Sequence, residues 1–303
     1  MKISVVIPVF GDAASLREMV MRLCEISINN HYFLEVIIVD DGSHAAVWDD
    51  IKSLRDVFSY GRLVLVRLRE NYGQAQATLQ GMLYAKGEYL VTIDADLQHL
   101  PEFIPFLISE LVSGGFDIVY ARGRSGAGFL RRILSHVNRI LSSPLGSSLR
   151  HASSFRAIDR VFFDKCVLGI PIFVINIDEF FYRFSPKWSC LDSPHEKRWS
   201  GRSSYSIARV FWYFFGSIFT ARDFSRGVFV FSSLLIAVLL FSLSSGSEVF
   251  RVSLFVCGVF CLFSLFGRVF FNGFCSSRKV VVSDLYDFSP SLQESFDQVE
   301  SLK

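Results

Sequence analysis

The sequence predicts an α/β domain with a mostly parallel sheet, followed by an apolar module that crosses a membrane as a two-helix hairpin. Three observations carry this. Strand-length and helix-length segments alternate through the first 121 residues, two uncharged runs lie between 227 and 267, and acidic and basic residues are segregated along the chain.

The alternation comes first. Short, largely β-branched runs occur at Ile3–Ile7, Glu35–Val39, Leu63–Leu68, Tyr89–Ile93 and Asp117–Ala121. Strands buried on both faces read as continuous apolar runs of this kind. Helix-length stretches such as Ala13–Ser27 and Gln74–Lys86 separate them. Regular alternation implies a parallel sheet with helices on both sides. In such sheets ligands bind beyond the carboxyl ends of the strands. Three of these strands end in polar residues: Pro8 onward, Asp40-Asp41-Gly42-Ser43, and Asp94-Ala95-Asp96.

The apolar module explains the composition. The 303 residues are 51% hydrophobic, with a mean hydropathy of +0.37, and the excess is local. Gly227–Ser245 carries no charge, and neither does Val252–Gly267, which Arg251 and Arg268 flank. A spanning helix needs about 20 apolar residues; the first run meets this, and the second does once its flanks are counted. The link Ser244–Glu248 is very short, so the pair reads as a hairpin. Arg222, Arg226, Arg268, Arg278 and Lys279 gather outside it. The positive-inside tendency places both ends in the cytoplasm, with Arg251 snorkelling to the far headgroups. Residues 203–220, rich in aromatics (Tyr205, Phe211, Trp212, Phe214) and bordered by Arg202 and Arg222, read as a helix lying in the membrane interface. The organisation is then a domain at 1–202, an interfacial helix region at 203–226, two transmembrane helices at 227–271 and a cytoplasmic tail at 272–303, polar and mobile from Ser283. The chain opens on a strand pattern rather than a charged-then-apolar leader, so no signal peptide is expected.

Charge points to the partners. Residues 1–117 carry 16 Asp and Glu against 9 Lys and Arg; the remainder carries 13 against 22. An acidic half holds a phosphate group only through a cation, whereas a basic half suits phosphate or an anionic membrane directly. Residues 118–158 contain seven arginines and no acidic residue. No nucleic-acid partner is expected. The six cysteines include no CxxC pair, which fits a reducing compartment and argues against a cysteine metal site.

Asp94-Ala95-Asp96-Leu97-Gln98 is the sharpest local signal. Two carboxylates one residue apart at a strand end can share Mg²⁺ or Mn²⁺ with a nucleotide diphosphate, because these ions take hard oxygen ligands and accept substrate phosphates. Val39-Asp40-Asp41-Gly42-Ser43 is the second. Carboxylates there can accept hydrogen bonds from a base or ribose, and Asp-Gly-Ser serves equally as a turn or helix cap.

Taken in order, Val5-Val6-Ile7-Pro8-Val9-Phe10, Val39-Asp40-Asp41-Gly42-Ser43, Asn71-Tyr72-Gly73-Gln74 and Asp94-Ala95-Asp96-Leu97-Gln98 resemble family 2 inverting glycosyltransferases. Within that family they resemble the polyprenyl-phosphate branch that includes dolichyl-phosphate mannose synthase and bactoprenol glucosyltransferase. The likeness covers about residues 1–225. It implies a nucleotide-sugar-binding GT-A fold, and transfer of a sugar from a nucleotide-diphosphate sugar to a polyprenyl phosphate with inversion. By position, Pro8, Asp12, Asp40 and Asp41 would line the nucleotide pocket. Asp94 and Asp96 would be catalytic and, with Gln98, would hold metal and diphosphate. Arg122, Arg131, Ser135 and Arg198 would meet the acceptor phosphate. The branch implies an inner-membrane enzyme in contact with lipids, and allows a homo-oligomer. Three departures stand out. Phe10-Gly11-Asp12 replaces Tyr-Asn-Glu, Ser204 replaces a lysine, and Arg150 and His151 stand where an aspartate is usual upstream of Phe155-Arg156. Two alternatives compete: transfer directly to a glycan hydroxyl, and a non-catalytic membrane protein that keeps the fold.

Overall fold

The computed structural model describes residues 1–58, 60–123, 153–169, 174, 176–194 and 280–288, which all belong to one compact unit. The expected interfacial helix and transmembrane hairpin lie outside the described residues. Among the described residues, no helix is long and apolar enough to cross a membrane.

In chain order the elements are β1 (Lys2–Val9), α1 (Leu16–Asn30), β2 (Phe33–Asp40), α2 (Ala45–Ser53), β3 (Arg62–Leu68), α3 (Gln74–Tyr84), β4 (Tyr89–Thr92), α4 (Ile104–Gly114), β5 (Ile118–Gly123), β6 (Arg156–Asp159), α5 (Arg160–Val167), α6 (Ile177–Tyr182), β7 (Trp188–Ser193) and β8 (Val282–Phe288). The sheet runs β7-β5-β6-β4-β1-β2-β3-β8. Its heart is parallel: β1 pairs with β2 and β4, and β2 with β3. β6 is antiparallel to β4 and β5, and β8 is antiparallel to β3.

The five apolar runs became β1 to β5. Four of these strands, β1 to β4, are buried along almost their whole length, as strands covered on both faces must be. α1 buries Leu16, Met19, Val20, Leu23 and Ile26, an i, i+3, i+4 stripe that packs on the sheet. α3 approaches the other face closely: a Cβ on Gly81 would overlap the Val6 and Val39 side chains. The chain proceeds from β1 outward to β3, then returns past β1 to β4. That reversal is a topological switch point, where the crevice above the sheet opens.

The edges differ from expectation. The tail from Ser283, read as polar and mobile, supplies β8, and a buried charge cluster anchors it. Glu35 is fully buried on β2. It accepts from Ser4 Oγ, from the Lys86 main-chain N at 2.6 Å, and from Arg62. Arg62 also grips Asp287 of β8 with two hydrogen bonds, Nε–Oδ1 2.8 Å and Nη2–Oδ2 2.5 Å. A buried carboxylate needs such partners, and removing one is costly. Without Asp287 the edge would lose this contact while keeping its main-chain pairing with β3.

Candidate active site

The carboxyl ends of β1, β2 and β4 carry the acidic motifs, and neighbouring segments fix each side chain. Asp40 is fully buried at the end of β2. Its Oδ1 accepts from the Ser43 N–H at 3.0 Å, closing the turn. Its Oδ2 is buried with no hydrogen-bond partner among the described residues, and the Arg67 Nε lies 3.4 Å away. Asp41 is tied to the neighbouring main chain. Both its oxygens accept main-chain N–H groups, Tyr72 at 2.7 Å and Gly73 at 2.9 Å, so it clips the Asn71–Gln74 motif to the end of β2. Gly42 has φ +74, and a Cβ there would overlap the Glu70 main chain. Only glycine permits that backbone together with that approach.

Pro8 lies at the end of β1, partly buried, and Asp12 is exposed in the turn that follows. Asp12 Oδ1 accepts from the Ala14 N–H at 2.9 Å, which shapes the entry to α1. The Gly11 N–H donates to Ser43 Oγ at 2.9 Å, joining the first motif to the second.

The Asp94–Gln98 turn is the most heavily fixed. Asp94 Oδ1 accepts from Gln74 Nε2 at 2.5 Å, and Oδ2 from Ser154 Oγ at 2.7 Å. Ser15 Oγ donates to the Ala95 carbonyl at 2.5 Å. Asp96 Oδ1 accepts from the Gln98 N–H at 3.1 Å. Leu97 holds φ +56 with its side chain buried. A non-glycine residue in that region costs on the order of 1 kcal/mol, and the buried leucine side chain offsets it. Asp94, Asp96 and Gln98 remain half-buried.

Beneath this turn runs a polar chain. Thr92 Oγ1 donates to the Ser154 carbonyl at 2.6 Å, Arg156 Nε donates to Thr92 Oγ1 at 3.2 Å, and Arg156 pairs with Asp178. Burial raises the Asp178 carboxyl, opposed by the Arg156 charge, and burial also raises the Tyr120 phenol. Gln74 was legible only as part of a motif, and Ser154 and Arg67 carried no local signal. Arg122 stands at the end of β5, half-exposed, and donates to Asp192 Oδ1 through Nε at 2.9 Å and Nη2 at 2.5 Å. Arg131, Ser135 and Arg198 lie outside the described residues.

Carboxylates delivered by parallel strands to one crevice at a switch point mark the ligand-binding site of an α/β fold. The family model described as "Glycosyl transferase family 2" matches residues 4–181, and the chain belongs to that family. Among curated proteins it is 32% identical over 284 residues to undecaprenyl-phosphate 4-deoxy-4-formamido-L-arabinose transferase of Enterobacter sp. (strain 638), covering 87% of this chain and 82% of that one. The protein of the same name from Aeromonas hydrophila subsp. hydrophila is 32% identical over 69% of this chain, and the match spans 64% of that relative. The fold resembles glucosyl-3-phosphoglycerate synthase of Mycobacterium tuberculosis, solved with Mn²⁺ and uridine-diphosphate-glucose. The TM-score is 0.53 at 19% identity, over 72% of this chain and 77% of that one. The same synthase in complex with phosphoglyceric acid also gives 0.53, over 72% and 78%. These likenesses establish a GT-A-like α/β fold.

Proposed function

We propose that this glycosyltransferase moves a sugar from a nucleotide-diphosphate sugar to a polyprenyl phosphate, with inversion, from the cytoplasmic side of the inner membrane. The observation that carries the reading is the strand-end pair Asp94 and Asp96, with Asp94 fixed by Gln74 and Ser154 and Asp96 by the Gln98 N–H. The curated relatives, named for undecaprenyl-phosphate transfer, supply the acceptor class.

The donor set fits Mg²⁺ or Mn²⁺. Among the described residues no group of three His, Cys, Asp or Glu side chains could hold a metal, so Asp94, Asp96 and Gln98 would share the ion with diphosphate oxygens, which suits a hard cation. When bound, the ion neutralises charge on the departing diphosphate. Asp40, fully buried at the end of β2 and paired with Arg67, fixes the floor beneath the donor. Asp94, tied to Gln74 and Ser154, cannot swing, which keeps the reacting centre positioned at no further entropic cost.

One phosphate oxygen of the acceptor forms the bond to the anomeric carbon as the bond to the diphosphate oxygen breaks, and the electron pair leaves with the nucleoside diphosphate. The acceptor is already ionised at neutral pH, so no strong general base is required. Asp178, a carboxylate that a hydroxyl acceptor could call on, is committed to Arg156. Arg122, Arg131, Ser135 and Arg198 would gather the acceptor phosphate, since guanidinium groups bind its oxygens in pairs. For Arg122 that means competing with Asp192.

The test uses the full chain in detergent with undecaprenyl phosphate, Mn²⁺ and a panel of nucleotide-diphosphate sugars. Transfer to the lipid with release of nucleoside diphosphate is expected from one of them. Asp96→Ala and EDTA should each abolish transfer, the chelator reversibly. Full activity in chelator would remove the metal from the mechanism, and transfer only to glycan hydroxyls would replace the acceptor.

A further inference from the structure

The last strand reaches the donor motifs as well as the sheet edge. Just ahead of β8, the Val281 N–H donates to Tyr72 Oη at 3.3 Å, and the Val281 carbonyl accepts from the Arg69 N–H at 2.9 Å. On β8 itself, Asp284 Oδ2 lies 3.9 Å from Arg67 Nη1. Arg67, in the adjacent strand β3, is only a quarter exposed. Its Nη2 donates to the Ser43 carbonyl at 3.1 Å, its Nε sits 3.4 Å from Asp40 Oδ2, and its guanidinium lies over the Trp48 ring at 5.5 Å. Trp48 in turn packs against Tyr286 of β8, ring centres 6.0 Å apart.

One guanidinium therefore joins the end of β2, the turn after it and the last strand. A fully buried carboxylate needs a compensating charge, and Arg67 supplies it to Asp40 without occupying Oδ2 in a hydrogen bond. That fixes the buried carboxylate, and the Ser43 turn that it closes, at the end of β2. The ring of Trp48 on one side and Asp284 on another limit where the guanidinium can go. Arginine favours such a site because it is planar, permanently charged and able to stack and bridge at once.

We propose that Arg67 is a positioning residue of the donor site, oriented by Asp284, so that nucleotide binding depends on the strand formed after the apolar segments. The proposal rests on the donor reading above, with the end of β2 and the turn after it forming part of the donor site. Arg67 acts through Asp40 and Ser43, and β8 acts through Arg67.

The experiment measures binding of UDP, GDP and CDP with Mn²⁺ to the full chain in detergent micelles by calorimetry, alongside the KM for undecaprenyl phosphate. With the tightest nucleotide as probe, Arg67→Met should weaken binding about tenfold and Asp284→Asn about threefold. The KM for undecaprenyl phosphate should stay within about twofold in both, and Arg67→Lys should recover part of the loss. The double variant should bind no more weakly than Arg67→Met alone, because the two residues act in series. Asp287→Asn is the control. It also sits on β8 but holds Arg62, so it should lower the melting temperature while leaving nucleotide binding unchanged. If Arg67→Met binds as the wild type does, or if Asp287→Asn weakens nucleotide binding as much as Asp284→Asn, the proposal is overturned and β8 is a structural strand only. A wild type that binds none of the three nucleotides sinks the donor reading itself, a result distinct from either of these.

Discussion

Adjacent carboxylates at the end of β2 do unlike work because of what each faces. Asp41 spends both oxygens on the main chain of Tyr72 and Gly73, whereas Asp40 gives one to the Ser43 N–H and buries the other beside Arg67. The sequence Asp-Asp-Gly-Ser contains both tasks without saying which residue has which, since short polar side chains serve turns and ligands alike. Glu179 on α6 shows the same dependence on surroundings. Burial pushes its carboxyl up to about 7, and Arg183, 3.7 Å away, offsets only part of that. Unfolded, the group titrates near 4.5. Between these values the folded chain keeps a proton that the unfolded chain has released, so stability falls as pH rises through the window. The loss is complete above about pH 7 and is worth roughly 3 kcal/mol. Glu179→Gln should cancel it. Melting temperatures of variant and wild type should converge towards pH 4.5 and separate by pH 8, with the variant higher. A constant offset at all pH values would mean that the carboxyl stays charged in the fold.

At the scale of elements, legibility followed burial. β1 to β4 are covered on both faces, so nearly every residue had to be apolar and the runs stood out. β7 reads Trp-Ser-Cys-Leu-Asp-Ser and is mostly half-buried, while β8 alternates into solvent and carries two aspartates. Edge strands hold polar residues partly to resist unwanted pairing, and long-range contacts decide where they dock. Nothing near Asp287 in sequence announces Arg62, 225 residues away. The site divides along the same line. Asp94 and Asp96 were legible because the strand and the carboxylates are local, whereas Gln74 and Ser154 reach Asp94 from other elements. Helix α3 was legible in extent but not in its closeness to the sheet. Gly81 lets it settle on Val6 and Val39, so Gly81→Leu should force the helix outward. Overpacking of this kind costs about 1–3 kcal/mol. A lower melting temperature together with weaker nucleotide binding is expected, because α3 starts at Gln74, which holds Asp94. An unchanged melting temperature would show that the helix–sheet gap has slack.

At the scale of the whole molecule, β8 constrains the membrane topology read from the sequence. Residues 282–288 pair with β3 in the same sheet that contains β1, β2 and β4, and one sheet cannot be shared between the two sides of a bilayer. The chain before the apolar runs and the chain after them therefore share a compartment, which supports an even number of crossings between them. Gly227–Ser245 and Val252–Gly267 are two runs joined by a short link, which suits two crossings, and the arginines outside them favour a cytoplasmic sheet. A competing arrangement has both runs entering and leaving on one side; the second run is the shorter, and Arg251 would be spared the far headgroups. Mismatch costs only fractions of a kcal/mol per Å, so length does not choose between them. Single cysteines placed in a background lacking the six native ones separate the cases. With an impermeant thiol reagent applied to intact cells, a cysteine at Ser245 should label, and cysteines at Ser206 and Ser289 should not. Protection of all three would favour the re-entrant arrangement. Labelling at Ser289 alone of the two flanking sites would require a single crossing, which would place β8 and β3 on opposite sides and break the sheet.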